Sequence, residues 1–218
     1  MTPIPVIINN RDLLTWPKAM VERIKGYNNV GEIVIIDNNS TYGPLLEWYA
    51  TNPCTIHRLD RNVGHAAPWI ANIPATLGSQ YYVVTDPDLG LEDTPNDTLE
   101  YLYDKMHTLP TSKLGLGLDW QAVLPKSPYF DRLNSHERNR WEESTYKQGV
   151  AMDVQIDTTF AMYSVSHYFI GGSSTQFPYV ARHYPWEFSL EEARDNEEFM
   201  YYMNNATSSS SYKALINP

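Results

Sequence analysis

Three short apolar runs, each ending in side chains able to bind a ligand, constrain this chain more than any other feature. Ile4–Ile8 runs into Asn9 and Asn10, Glu32–Ile36 into Asp37, and Tyr81–Thr85 into Asp86, Pro87 and Asp88. Runs this short and this apolar suit strands buried on both faces, as in a parallel sheet. The segments between them carry helical signals. Trp16–Lys25 places Trp16, Met20, Val21 and Ile24 on one stripe, with Pro17 in the first turn and Gly26 at the stop. Leu45–Tyr49 reads as a short helix, Thr55–Leu59 as a strand, and Ala66–Ile73 as a helix limited by Pro68 and Pro74. Strands alternating with helices predict an α/β domain with a mainly parallel central sheet flanked by helices.

The second half is less regular. Pro95–Met106 is expected to be helical with Thr94 as its cap, Leu114–Leu118 to return to the sheet, and Pro125–Arg132 to be irregular. Ser135–Lys147 reads as a helix of weak periodicity, and a strand is expected around Thr159–Tyr163. Gly171–Thr175 (GGSST) is expected to be a mobile loop able to close over a ligand. Leu190–Tyr202 is expected to form one terminal helix, followed by a tail or linker. The chain reads as one domain with a more regular half at 1–110 and a less regular half at 111–206, followed by a tail or linker at 207–218 that would lead to any further domain.

Composition narrows the partners. The 218 residues are 42% hydrophobic, enough for a core, and 16 Lys and Arg against 26 Asp and Glu give a net charge of −10. Such a balance disfavours a broad nucleic-acid surface. An acidic protein binds a phosphorylated ligand most readily through a divalent cation. Cys54 is the only cysteine, which excludes an internal disulfide and a cysteine zinc cluster. With an N-terminus that lacks a signal-peptide pattern and no apolar run near membrane-spanning length, it sets the expectation of a cytoplasmic protein without an integral membrane segment.

The strand-end carboxylates are the candidate chemistry. Asp86 and Asp88 flank a proline, which fits either a solvated turn or a cation held against substrate phosphates. Ligands of open parallel sheets bind beyond the carboxyl ends of the strands, where both would lie. Asp37 occupies the same kind of position and suits an Asx turn or a nucleobase and ribose contact. In HRLDRNVGHAAPW, Arg61 suits a phosphate and Gly64 a close backbone approach. The chain has neither GxxxxGK[ST] nor a GxGxxG after the first strand, which disfavours P-loop and dinucleotide-binding readings.

IPVIINNRD, IVIIDNNST, LDRNVGHAAPW and VVTDPDL, in this order, resemble the GT-A fold glycosyltransferases, particularly the family-2-like group. The length and the late aromatic segment also resemble chlorovirus-type glycosyltransferase domains, which would place the protein in a host cytoplasm. The resemblance implies a single Rossmann-like domain, with its nucleotide-sugar-binding half at 1–110 and its acceptor-binding half at 111–206, that moves a sugar from a nucleoside-diphosphate sugar, UDP-linked by preference, to a hydroxyl on a glycan or other acceptor. It implies that Asp37 meets the uracil or ribose, that Asn9 and Arg11 lie nearby, and that Asp60 and Arg61 flank the base or diphosphate. Asp86 and Asp88 match the family's DxD motif. His183, in ARHYPWEF, matches a late histidine that completes a shell around Mn²⁺, or Mg²⁺. Arg182 and Arg194 are candidates to assist the diphosphate.

An inverting enzyme, the expected class, needs a carboxylate base for the acceptor. Asp157 is the first choice, with Asp153, Asp119 and Glu187 as alternatives; the family's ED dipeptide is not evident here. Trp120 and Trp186 are candidate acceptor platforms. A nucleotidyltransferase or other metal-dependent nucleotide enzyme, and a non-enzymatic sugar- or nucleotide-binding module, are the competing classes.

Overall fold

The computed structural model describes residues 1–51, 53–156, 158–165 and 167–206. Asp157, the first candidate base, and the 207–218 tail lie outside the described residues. The expected first half is present: β1 (Ile4–Asn10), α1 (Thr15–Lys25), β2 (Val30–Asp37), α2 (Gly43–Tyr49) and β3 (Thr55–Arg58). The next predicted helix is two short ones, α3 (Ala67–Ile70) and α4 (Ile73–Thr76), followed by β4 (Tyr82–Thr85). Asn72 separates them at φ 57°, a left-handed turn that asparagine tolerates and that stops α3 before Pro74.

Then come β5 (Leu89–Gly90), α5 (Thr98–Thr108), β6 (Lys113–Gly115), β7 (Gly117–Leu118), α6 (Phe130–Glu143) and β8 (Tyr146–Lys147). The chain continues through β9 (Val150–Val154), β10 (Ala161–Tyr163), β11 (Gly172–Thr175) and β12 (Val180–His183). It closes with α7 (Tyr184–Glu187), α8 (Leu190–Asp195) and α9 (Glu197–Asn205).

These strands make a mixed central sheet in the order β3-β2-β1-β4-β10-β6-β11-β9-β8 and a small sheet in the order β5-β12-β7. The β3-β2-β1-β4 half is parallel throughout. Beyond β4 the pairing becomes mixed, because β10 runs antiparallel to both β4 and β6. The alternating side chains of β1 explain the layers. Val6 and Ile8 pack with Met20, Val21 and Ile24 of α1 and with Leu99, Leu102 and Met106 of α5. Ile7 faces the other way, toward Val34, Ile36, Val84, Ala67 and Ile73. The fold is thus a single α/β domain with helices on both sides of its central sheet.

Several expectations change. Thr94 does not cap α5: its hydroxyl donates to the Leu91 carbonyl at 2.6 Å, and α5 starts only at Thr98, after a turn closed by Thr98 N–H on the Pro95 carbonyl. Leu114–Leu118 is split at Leu116, so that β6 serves the large sheet and β7 the small one. GGSST is no mobile lid. Gly172–Thr175 is β11, a strand between β6 and β9 with Ser173, Ser174 and Thr175 buried. Its hydroxyls find partners in neighbouring segments: Gly117 N–H of β7 donates to Thr175 Oγ1 at 3.1 Å, and Ser173 Oγ lies 3.1 Å from Thr111 Oγ1, just before β6. Gly172 is needed there at φ 136°, since a Cβ would come within 2.7 Å of the Lys113 carbonyl. The terminal helix breaks at Asn196, whose side chain caps α9 by accepting from Phe199 N–H at 2.9 Å.

The C-terminal helices brace the first half of the chain. α1 has no side-chain cap of its own. Glu198, on α9 and 184 residues away from Leu14, accepts from Leu14 N–H at 2.7 Å, and also from Thr15 N–H at 2.9 Å and Thr15 Oγ1 at 2.6 Å. A carboxylate at this end also opposes the helix dipole. Glu198→Ala is expected to lower stability by about 1–2 kcal/mol, the usual worth of a lost cap, read as a lower urea midpoint with an unchanged slope.

Candidate functional site

The register of the parallel strands gathers the candidate residues. In the β1–β2 ladder Asn9 faces Ile36 and Asn10 faces Asp37, while Ile8 faces Thr85 in β4. The loops that follow β1, β2 and β4 therefore share the carboxyl edge of the sheet, where a ligand meets loops and not packed strand faces.

Asparagines tie these loops together. Asn38 Nδ2 donates to the Gly64 carbonyl at 2.8 Å, and Asn38 Oδ1 accepts from Val63 N–H at 2.8 Å. Asn9 Nδ2 donates to the Gly64 and His65 carbonyls at 3.3 and 3.4 Å. The 62–65 loop is held by side chains against β1 and β2. Arg61 is exposed beside it, as is Asp60. Arg11 points at its neighbour Asp12, with Nε 3.4 Å from Oδ2.

Asp12, which sequence reasoning passed over, is fully buried. Its Oδ1 accepts from Thr41 N–H at 2.6 Å and Tyr42 N–H at 3.0 Å, and its own N–H donates to Ser40 Oγ at 2.9 Å. It locks the loop after β1 to the loop after β2. The NNRD signal for such a turn was present, but nothing in one sequence says that residue 12 bonds residues 41 and 42.

Asp37 is also fully buried. Its partner is Arg58: Arg58 Nε lies 2.9 Å from Asp37 Oδ2, and the two residues are register partners in the β2–β3 ladder. A strand ending in His-Arg beside a strand ending in Ile-Asp was the available signal. The Asp37 charge adds to burial in raising the Tyr49 hydroxyl well above its ordinary range.

The DPD segment joins the last third of the chain through the small sheet. β5 pairs with β12, with His183 opposite Leu89, and Tyr184 N–H donates to the Asp88 carbonyl at 3.1 Å. This places His183 Nε2 3.7 Å from Asp88 Oδ2, with side-chain exposures of 22% and 17%. Burial lowers the His183 pKa, while Asp88 and Glu187 pull it upward. Its ring lies against Trp186, with centroids 4.4 Å apart. Asp86 is oriented differently. Its Oδ2 accepts from Thr158 Oγ1 at 2.7 Å, and its N–H donates to the Thr158 carbonyl at 3.0 Å. Among the described residues, no cluster of three His, Cys, Asp or Glu side chains is positioned to hold a metal.

The alternative bases separate by position. Asp119 follows β7, and its N–H donates to the Ala181 carbonyl at 2.8 Å, two residues before His183. Its Oδ1 accepts from Gln121 and Ala122 N–H at 3.0 and 3.3 Å. Glu187 grips Arg182 with both oxygens, one of them 2.8 Å from Nε. Asp153 is exposed on β9, four strands from β4 in the central sheet. Trp120, next to Asp119, is half-buried; Arg194 is exposed on α8.

Buried polar atoms without a hydrogen-bond partner mark the same edge. Among the described residues they include Asn9 Oδ1, Asn10 Oδ1, Asp88 Oδ1, Trp120 Nε1, Thr159 Oγ1 and His183 Nδ1. Each sits at or just beyond a strand end on that edge: β10 is antiparallel to β4, so Thr159, just before β10, lies near the end of β4. Native interiors rarely leave such atoms unmatched, and a polar ligand would complete them.

No family model matches this sequence, and no curated protein matches it. Solved structures do. TarS residues 1–349 from S. aureus align over 99% of this chain and 69% of that one, at 13% identity and a TM-score of 0.50. Full TarS aligns over 99% of this chain and 42% of that one, at 11% identity and a TM-score of 0.49. Glucosyl-3-phosphoglycerate synthase from Mycobacterium tuberculosis, solved with Mn²⁺ and UDP-glucose, aligns over 74% of this chain and 56% of that one, at 11% identity and a TM-score of 0.48. The chain spans about half the length of the first structures it matches, 42%, 47% and 56% of them. The likeness to TarS 1–349 is one of fold.

Because Asp12 is buried and bonded to two backbone N–H groups, Asp12→Ala is expected to cost about 2–3 kcal/mol through unpaired donors. Chemical denaturation without ligand measures this. A change below about 0.5 kcal/mol, typical of a surface site, would show that the two loops hold without it.

Proposed function

We propose that this protein is a metal-dependent glycosyltransferase of GT-A type that moves a sugar from a UDP-sugar to an acceptor hydroxyl, with inversion. The observation that carries the proposal is the approach of Asp88 and His183 across the β5–β12 ladder. Their buried atoms Asp88 Oδ1 and His183 Nδ1 have no hydrogen-bond partner among the described residues, which fits a donor set completed by a bound cation. A carboxylate with a neutral imidazole suits Mn²⁺. When bound, the cation would supply charge compensation to the leaving diphosphate.

The remaining roles follow position on the edge. Asp37 and Arg58 offer the base site, and the clamped 62–65 loop flanks it with Asn9, Asp60 and Arg61. Arg11 stands at the loop that follows β1. Asp86, oriented by Thr158, would face the donor beside Asp88. Asp119 is the alternative base favoured by position, since it lies on the β7 side of the strand that carries His183 and leads into Trp120. In that role it would take the acceptor proton as the oxygen attacks. The shared fold with TarS 1–349 supports the reading at the level of architecture, as does binding of UDP by that protein.

Calorimetry with UDP, with and without Mn²⁺, tests the site. The wild type is expected to bind UDP tightly only with Mn²⁺. Asp88→Ala and His183→Ala are each expected to weaken that binding by about 10- to 100-fold, the order seen when a metal's supporting groups are removed. Folded protein that binds no nucleotide under either condition would sink the proposal. The pH sense is fixed: His183 is held neutral, so lowering the pH through and below the ordinary histidine range protonates it and releases the metal.

A further inference from the structure

The two carboxylates of the DPD segment are fixed by different means. Asp88 is tied to the segment after β12 through its backbone, its carbonyl accepting from Tyr184 N–H at 3.1 Å. Asp86 is gripped at both backbone and side chain by Thr158, 72 residues away in the chain. Thr158 Oγ1 donates to Asp86 Oδ2 at 2.7 Å, and the Thr158 carbonyl accepts from Asp86 N–H at 3.0 Å. Thr158 is fully buried, whereas Asp86 is half-buried at the edge.

The backbone beside Thr158 departs from the ladder in a way that brings this about. Ala161 of β10 faces Val84 of β4, so regular antiparallel pairing would set Thr159 against Asp86. The Asp86 N–H instead bonds the Thr158 carbonyl, one residue off that register. Between the two stands Phe160 at φ 47°, a left-handed conformation strained for an aromatic residue. Such strain persists only where the surroundings enforce it. Here the Phe160 ring is fully buried and meets Tyr27 with centroids 5.8 Å apart. The Thr159 carbonyl accepts from Leu116 N–H at 3.1 Å, and the Ile156 carbonyl accepts from Lys113 Nζ at 2.9 Å. A one-residue offset of this kind re-aims a side chain. This one turns the Thr158 hydroxyl to Asp86.

We infer that Thr158 is a positioning residue, whose hydroxyl sets the direction of the Asp86 carboxylate before a ligand arrives. The inference rests on the proposed metal and diphosphate site and adds to it a residue from the second half of the chain. Thr158 is buried and acts only through Asp86. A carboxylate on a turn otherwise samples several rotamers, and binding must give them up. A hydroxyl donating to a charged oxygen makes one of the stronger hydrogen bonds, and the branched threonine side chain is itself stiff. Holding Asp86 in advance removes part of the cost of binding.

Calorimetry of UDP with Mn²⁺ on Thr158 variants tests this. Thr158→Val keeps the branched shape and the backbone carbonyl and removes the hydroxyl. It is expected to weaken UDP by about tenfold, the order lost with a group that orients a metal ligand. Thr158→Ser restores the donor on a less restricted side chain and is expected to stay within about threefold of the wild type. Added to Asp86→Ala, T158V is expected to change affinity by less than about twofold, because the group it acts through is gone. A threonine that only packs the interior would behave otherwise. T158S, which deletes a methyl group from that interior, would then lose as much as T158V or more, and the T158V loss would repeat in the D86A background. Either result overturns the positioning role and leaves the metal site standing, as does T158V binding as tightly as the wild type. A wild type that binds no UDP with Mn²⁺ overturns the metal site, and the inference with it.

Discussion

The pairing of β5 with β12 is the interaction on which the candidate site depends. β5 is only Leu89 and Gly90, yet its ladder with Arg182 and His183 brings the end of the first half of the chain to the end of the second. Gly90 permits this approach. A Cβ there would lie 2.8 Å from a Glu92 carboxylate oxygen and 2.9 Å from the Tyr184 ring. β12 also pairs with β7, so the same short strand positions Asp119 on its other side. Three segments from distant parts of the sequence converge through a sheet of very few hydrogen bonds. That economy needs support, and the aromatic packing of Trp16 with Tyr184, Phe188 and Phe199 supplies it.

Backbone accounting explains why so much of the edge is asparagine and aspartate. Loops that end buried strands leave N–H and C=O groups with no ladder partner. Here Asn38, Asn10 and Asp12 satisfy them, each reaching across to a neighbouring loop or turning back on its own. The cost is rigidity: with the 62–65 and 40–42 loops both pinned, the edge around Asp37 is largely preformed. Preorganisation of this kind reduces the ordering that binding must otherwise supply.

What the sequence made legible divides along the same line. β1, α1, β2 and β4 were readable because local apolar patterning and burial agree in them, and helices on both faces require near-continuous apolar strands. GGSST was misread because its burial comes from β6 and β9 on either side, not from its own composition. The small residues that suggest a loop are the ones that fit a crowded interior beside Lys113. In the site, strand-end Asp37, Asp86 and Asp88 were visible as positions. The partners that orient them, Arg58 and Thr158, were not, because each is fixed by pairing between segments distant in the chain. The nearness of His183 to Asp88 entered the sequence reading only through a family resemblance, and it takes structural form through β12.

Charge ties these observations together. The chain carries a net charge of −10, which repels a diphosphate at long range. Three of the arginines near the edge do little to offset it, since Arg11 is turned to Asp12, Arg58 to Asp37 and Arg182 to Glu187, while Arg61 is exposed beside the 62–65 loop. Each pair is close to neutral toward an incoming anion. Breaking any of them to free a guanidinium exposes a carboxylate of equal and opposite charge, two of which are fully buried. An incoming anion therefore gains little from these three arginines. Asp88, by contrast, lies 3.7 Å from His183 at the end of β12, and its Oδ1 is buried without a hydrogen-bond partner among the described residues; a carboxylate so placed is open to a cation in a way that one matched by an arginine is not.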